Sequence, residues 1–375
     1  MNDKKIYCMS MWKSIHIDID GYLTPCCLFV HKIDKQKNIT EVANVESYLK
    51  THHQKWRDQF NKGVWPDGCN QCKFAEEEGR ESKRLQDVVD YEHLNSELEE
   101  VSLEYLQIKT GRVCNLRCTI CSPICSTTSA VHQLKNGTLS KEDYDKLELS
   151  SKWAEDINQY KKINSTNGFF RIDIAGGEPL LNKTHFKWLD SLSNKNLFLL
   201  YNTNGTIIPT EEEISIWEKF KGIRLTVSVD SYEEKFEKLR IGGTWIRLVK
   251  TFNFLKNMIN TRFNIDTSNI SIVLTLYKAN VMDIIDLYEK LNEYLNADIT
   301  ESINFNYLYY PERKAIHNLS KEELTNVINS LESNLYRLRD NSRILYDTKT
   351  LISSMKTFLV DKKFSNPRPV TDTFN

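Results

Sequence analysis

Leu103-Glu104-Tyr105-Leu106-Gln107-Ile108, followed a few residues on by Cys114-Asn115-Leu116-Arg117-Cys118-Thr119-Ile120-Cys121, is the stretch that decides how this chain is read. The first part is an apolar run that reads as a buried strand, so the three thiols fall on the loop leaving that strand's carboxyl end. In barrel enzymes such loops carry the chemistry. Zinc sites usually pair thiols as two knuckles, whereas this triplet has no fourth histidine or cysteine nearby at the expected spacing. Three thiolates on an iron–sulfur cube leave one iron open.

From residue 103 onward the pattern alternates strand and helix. Candidate strands cover 103–108, 169–175, 197–202, 223–229, 270–276 and 303–309. Helical segments lie between them, among them 210–219, where Thr210 and Glu213 make a capping box, and 245–258. Six such repeats imply a parallel sheet of the α/β class. A full eight-stranded barrel takes about 250 residues, so the span 103–311 predicts a partial (β/α)6 TIM-like barrel. Beyond Pro311 the chain turns polar and helical, with helices expected over 321–338 and 351–360. This makes 312–375 a helical extension, ending in Ser365-Asn366-Pro367-Arg368-Pro369, which cannot continue a helix and is expected to run over the surface.

Ahead of the barrel, residues 1–102 read as a small α+β unit. Ser14-Ile15-His16-Ile17-Asp18-Ile19 alternates at period two, and Asp20-Gly21 turns the chain into Tyr22-Leu23-Thr24, which predicts a half-buried hairpin. Cys8 precedes the hairpin and Cys26-Cys27 follow it. Val42, Val45, Leu49, Trp56 and Phe60 predict one amphipathic helix over 40–62, stopped at Gly63, with His52 and His53 on its surface. After the turn Trp65-Pro66-Asp67-Gly68 come Cys69 and Cys72, then a charged helical segment reaching Arg84. Cys8, Cys26, Cys69 and Cys72 are thus within reach of one metal site.

The 375 residues are two-fifths apolar, enough for a sizeable core. The 50 basic and 51 acidic residues nearly cancel, so no overall field draws the chain to nucleic acid or an anionic membrane. The amino terminus lacks the apolar run of a signal peptide and no window approaches a membrane span, which predicts a cytoplasmic protein. Nine cysteines then point to metal or redox chemistry before disulfides.

The Cys114-x3-Cys118-x2-Cys121 spacing resembles the signature of the radical S-adenosylmethionine (radical SAM) superfamily, and Gly176-Gly177-Glu178-Pro179 resembles that superfamily's GGEP motif. The resemblance implies that Cys114, Cys118 and Cys121 bind a 4Fe-4S cluster whose open iron chelates S-adenosyl-L-methionine. An electron from the cluster then yields a 5′-deoxyadenosyl radical that abstracts a substrate hydrogen. Ile120 departs from the aromatic residue often found before the third cysteine, and Cys125 is left as a spare thiol. Gly176, Gly177, Glu178 and Pro179 are expected to receive the methionine amino group, the glycines by letting backbone approach the ligand. Asn204 after the third strand, and Ser228 and Asp230 ending the fourth, look like further cofactor-binding features. Arg240 is expected either to reach the cofactor carboxylate or to lie solvated on a helix face.

Cys8, Gly21-x4-Cys26 and Cys69-x2-Cys72 resemble the Twitch or SPASM extensions of this superfamily, which implies one auxiliary 4Fe-4S cluster, placed here before the barrel rather than after it. Cys27 is the alternative to Cys26 as ligand, though only Cys26 has the Gly-x4-Cys spacing. A structural zinc with the same four ligands is the alternative. The expected function is hydrogen abstraction from a peptide or protein side chain by an oxidoreductase. Its partners would be an electron donor such as flavodoxin or ferredoxin and a separate peptide-recognition protein. A small-molecule substrate is the runner-up, and the chain end Asp372-Thr373-Phe374-Asn375, without paired glycines, counts against GTP. A zinc-binding barrel acting as a structural or interaction protein is the reading from another class.

Overall fold

The computed structural model describes residues 7–30, 36–77, 82–90, 100–295, 303–308, 310–340 and 342–361. Its strands are β1 (Ser14–Ile17), β2 (Leu23–Thr24), β3 (Tyr105–Lys109), β4 (Arg117–Cys118), β5 (Arg171–Ala175), β6 (Phe198–Thr203), β7 (Gly222–Ser228), β8 (Arg240–Ile241), β9 (Asn269–Leu276) and β10 (Ile303–Tyr307). The six expected strands are β3, β5, β6, β7, β9 and β10, each parallel to the next. Tyr309, the last residue of the sixth expectation, lies outside the described residues.

One face of the sheet is apolar and covered: Leu106, Ile172, Leu199, Val227 and Ile272 are fully buried. The opposite face carries Gln107, Asp173, Asn202, Thr226 and Ser271, all half-buried or exposed. Parallel sheets packed on both sides read as continuous apolar runs. The alternation seen here is that of a barrel left open on its inner side.

The amino-terminal hairpin is continuous with this sheet. β1 pairs in parallel with β3, from Ser14 opposite Tyr105 to Ile17 opposite Ile108, and β2 forms the antiparallel edge. Lys13, fully buried, donates to the Ser102 hydroxyl at 2.9 Å and the Glu104 carboxylate at 3.1 Å, pinning the helix before β1 to the approach of β3.

The single helix expected over 40–62 is two, Val45–His52 and Gln54–Asn61. They are parted at His53, which is fully buried rather than on the surface. Arg57 fixes the joint: its guanidinium donates to the carbonyls of Leu49 at 3.0 Å, Lys50 at 2.6 Å and Met11 at 3.3 Å. The first two are carbonyls of the first helix's last turn, which lack helical partners of their own.

The Thr210–Glu213 capping box is present and opens the helix Glu211–Trp217. The carboxyl-terminal helices are Lys321–Asn334 and Arg343–Asp361, the second starting before its expected position. They pack on each other, and the second also packs on β10. Ser365 to Pro369 lie outside the described residues, and no helix among the described residues is long and apolar enough to cross a membrane.

Candidate functional site

The cysteine loop leaves β3 and is laced to the loop leaving β5 by backbone hydrogen bonds. Gly177 N–H donates to the Gly111 carbonyl at 2.9 Å and Glu178 N–H to the Val113 carbonyl at 2.8 Å. A Cβ on Gly177 would lie 2.4 Å from the Val113 carbonyl oxygen, and one on Gly176 2.7 Å from that of Gly111. The paired glycines are therefore required by the close approach of the chain's own cysteine loop.

Cys114 is fixed from both sides. Its N–H donates to the Thr127 hydroxyl at 3.2 Å and its carbonyl accepts from the Thr128 hydroxyl at 2.5 Å. Ser126, which caps the helix Thr127–Lys135, donates to the Leu116 carbonyl at 2.7 Å. Cys118 lies on β4, opposite Arg240 of β8. The Cys118 and Cys121 thiols hydrogen-bond each other, which lowers the first and raises the second. Burial pushes Cys114 up to about 11. Cys125 is exposed, at the far end of the loop.

Glu178 is buried at the head of the turn Pro179–Leu181, with Pro179 buried beside it. Its carboxylate accepts from the Thr203 hydroxyl at 2.8 Å and Asn204 N–H at 2.7 Å, and burial outweighs these bonds to raise it to about 7. Asn204 in turn donates to Asn115 at 2.9 Å and points the same amide at the Cys114 sulfur, 3.9 Å away. Ser228 is half-buried at the end of β7. Asp230 is buried and held in an ion pair with Arg240 at 2.9 Å, and also accepts from Thr275 N–H at 3.2 Å.

Of the two expectations for Arg240, the helix-face one fails: the side chain is buried on β8. Against the cost of burial, Asp230, Cys118 and Cys121 raise its guanidinium further. Its Nε–H is buried without a hydrogen-bond acceptor among the described residues, a donor left over from the ion pair. The sequence does not pair Arg240 with Asp230, because the contact joins the loop after β7 to β8, with a helix between them.

None of the nine cysteines is in a disulfide. Among the described residues no three histidine, cysteine, aspartate or glutamate side chains stand as a ready-made group for a metal ion. A cube of four irons takes each thiolate at a different corner, so its ligands need not meet at one point. Three soft sulfur donors on one short loop, with an unpaired guanidinium N–H beside two of them, fit such a group.

The amino-terminal thiols gather round a cavity of their own. Cys8, Cys26, Cys69 and Cys72 line it together with Phe29, Phe60 and Trp65. Burial raises all four, Cys8 to about 12. Gly68 lets Cys69 in close, since a Cβ there would strike the Phe29 ring at 2.4 Å. Cys27 does not line the cavity; it is exposed, and its N–H donates to the Gln107 side chain at 3.1 Å on the open face of β3.

Against known proteins, the family model described as Radical SAM superfamily matches residues 108–291. The curated GTP 3′,8-cyclase of Alkaliphilus metalliredigens is 30% identical over 148 residues, 38% of this chain and 40% of the relative. That of Campylobacter lari is 24% identical over 189 residues, 50% of this chain and 51% of the relative. The chain thus spans about half, or less, of the length of these relatives. Among solved structures, native anSMEcpe with bound AdoMet is 16% identical, covering 62% of this chain and 60% of that one, with a TM-score of 0.37. Streptococcus suis SuiB bound to S-adenosylmethionine is 14% identical, covering 82% of this chain and 68% of that one, also with a TM-score of 0.37.

Proposed function

We propose that this chain, whose residues 108–291 carry a radical SAM domain, is an enzyme that abstracts a hydrogen atom from a peptide or protein side chain. The observation that carries the reading is the convergence of Glu178, Asn204 and the Asp230–Arg240 pair on the loop of Cys114, Cys118 and Cys121. A 4Fe-4S cluster on the three thiols would supply the electron that cleaves S-adenosylmethionine to a 5′-deoxyadenosyl radical.

The chain's own groups then have separate tasks. Glu178, raised to about 7 by burial although Thr203, Asn204 and the more distant Arg240 charge all pull it down, gains a further reason to ionise when an ammonium arrives, so it orients an amino group. The spare Nε–H of Arg240 suits a carboxylate or a cluster sulfur. Ser228 and Asn204 offer hydroxyl and amide groups at the same end of the sheet. Substrate would enter over the polar face of Gln107, Asp173 and Thr226, and an external donor such as flavodoxin or ferredoxin would supply the electron. Cys8, Cys26, Cys69 and Cys72 would hold one auxiliary 4Fe-4S cluster, supported by their shared cavity. The units 1–102, 103–311 and 312–375 would then be auxiliary-cluster, barrel and extension parts of a cytoplasmic protein, with a separate protein recognising the peptide.

A small-molecule substrate is the second reading, favoured by the likeness to GTP 3′,8-cyclases. Oxygen-free reconstitution tests the cluster assignment common to both. Wild type should take up about eight iron atoms in two cubes, and Cys69→Ala about four. Protein that binds only zinc, at either set of thiols, would contradict it.

A further inference from the structure

Thr119, the residue after Cys118, has each of its polar groups taken by a different later part of the chain. Its N–H donates to the Leu239 carbonyl at 2.8 Å, just before β8. Its hydroxyl stands 3.3 Å from that of Tyr277, just after β9. Its carbonyl accepts from the ammonium of Lys314. Lys314 ends the short turn Glu312–Lys314 beyond β10, and its own carbonyl accepts from Lys278 N–H at 2.9 Å. The Lys278 ammonium in turn donates to the Asn318 carbonyl. The segment following the barrel is therefore tied to the end of β9 and reaches back to the cysteine loop.

An ammonium bonded to this carbonyl has two physical effects. It fixes the peptide between Cys118 and Cys121, and it brings a positive charge to the place where a cluster on those thiols would gain an electron. Arg240 approaches the same two thiols with its own charge, but spends part of it on Asp230. Among the described residues Lys314 makes no such carboxylate contact: its ammonium bonds the loop carbonyl, and burial and Arg313 lower its pKa. Nearby positive charge and hydrogen bonding both favour the reduced cluster.

We propose that Lys314 is a positioning residue for the cysteine loop, and that its charge raises the reduction potential of the cluster held there. The second half rests on the reading that Cys114, Cys118 and Cys121 bind a cluster; the first half does not.

The test compares wild type with Lys314→Met, Lys314→Gln and Lys314→Arg in the full chain. In metal-free protein, alkylation of Cys118 and Cys121 should run several-fold faster in Lys314→Met than in wild type, with the Arg and Gln variants close to wild type because they keep a donor. Cys8, Cys26, Cys69 and Cys72 should react at unchanged rates, which separates loss of the loop anchor from general unfolding. In reconstituted protein, a redox titration followed by electron paramagnetic resonance should give a more negative potential for Lys314→Gln and Lys314→Met and the wild-type value for Lys314→Arg. Wild-type alkylation rates and potential in Lys314→Met would overturn the proposal. Should Lys314→Met not fold, the Gln and Arg variants decide, since equal potentials in the two would refute the role of charge. Wild type that binds no cluster would instead refute the reading of the thiols, and the alkylation rates would still decide the anchoring role.

Discussion

At the scale of single residues the site is governed by burial that its polar groups only partly repay. Glu178 shows this in a form that can be measured. Its carboxyl is raised from the ordinary 4.5 to about 7 by burial, so the folded chain keeps a proton that the unfolded chain has already released. Between those two values the native state binds more protons, and stability falls as pH rises through the window, by about 3 kcal/mol in all. Glu178→Gln should lose much less stability between pH 4.5 and pH 8 than wild type does, in cofactor-free protein followed by denaturant titration. Equal losses would show that Glu178 does not carry this proton. The motif around Glu178 was legible in the sequence because it is contiguous. The partners Thr203 and Asn204, and the reason for two glycines, were not, since both depend on which loop β5 finds beside it. Spacing to Gly21 favoured Cys26 over Cys27 without deciding between them; in the fold Cys26 lines the amino-terminal cavity and Cys27 is exposed.

At the scale of elements, apolar runs marked the six parallel strands to within a few residues, because one face of β3, β5, β6, β7 and β9 is wholly buried, while β10 buries only Ile303 fully. The helix expected over 40–62 failed for a reason that periodicity cannot register. The apolar spacing continues through the break, and what parts the two helices is Arg57 reaching back to three carbonyls. Arg57→Met would leave those carbonyls, on Met11, Leu49 and Lys50, without this donor in a region where the side chain is 2% exposed. A loss of about 3 kcal/mol in unfolding free energy is expected, at roughly 1 kcal/mol for each unmade bond. A change within experimental error would mean that the joint is held by apolar packing alone.

At the scale of the whole molecule, the amino-terminal hairpin and the barrel share one sheet. The sequence showed a hairpin and a barrel but not that β1 would lie on β3, because strand pairing over such a separation has no local signature. This has a consequence for truncation. A chain beginning at residue 102 would present β3 as a bare edge, with Tyr105, Leu106 and Ile108 flanked only by Glu104 and Lys109. Such a chain is expected to aggregate, as read by light scattering at concentrations where the full chain is monodisperse. A soluble fragment with the full chain's melting temperature would show that the two parts fold independently.

The reading of the molecule stands on three sulfurs at the mouth of an open barrel. Its most direct test is the yield of 5′-deoxyadenosine, by mass spectrometry, when reduced, oxygen-free protein meets S-adenosylmethionine. Wild type should give product, Cys118→Ala none, and Cys69→Ala a remaining fraction. Undiminished product from Cys118→Ala would contradict that reading.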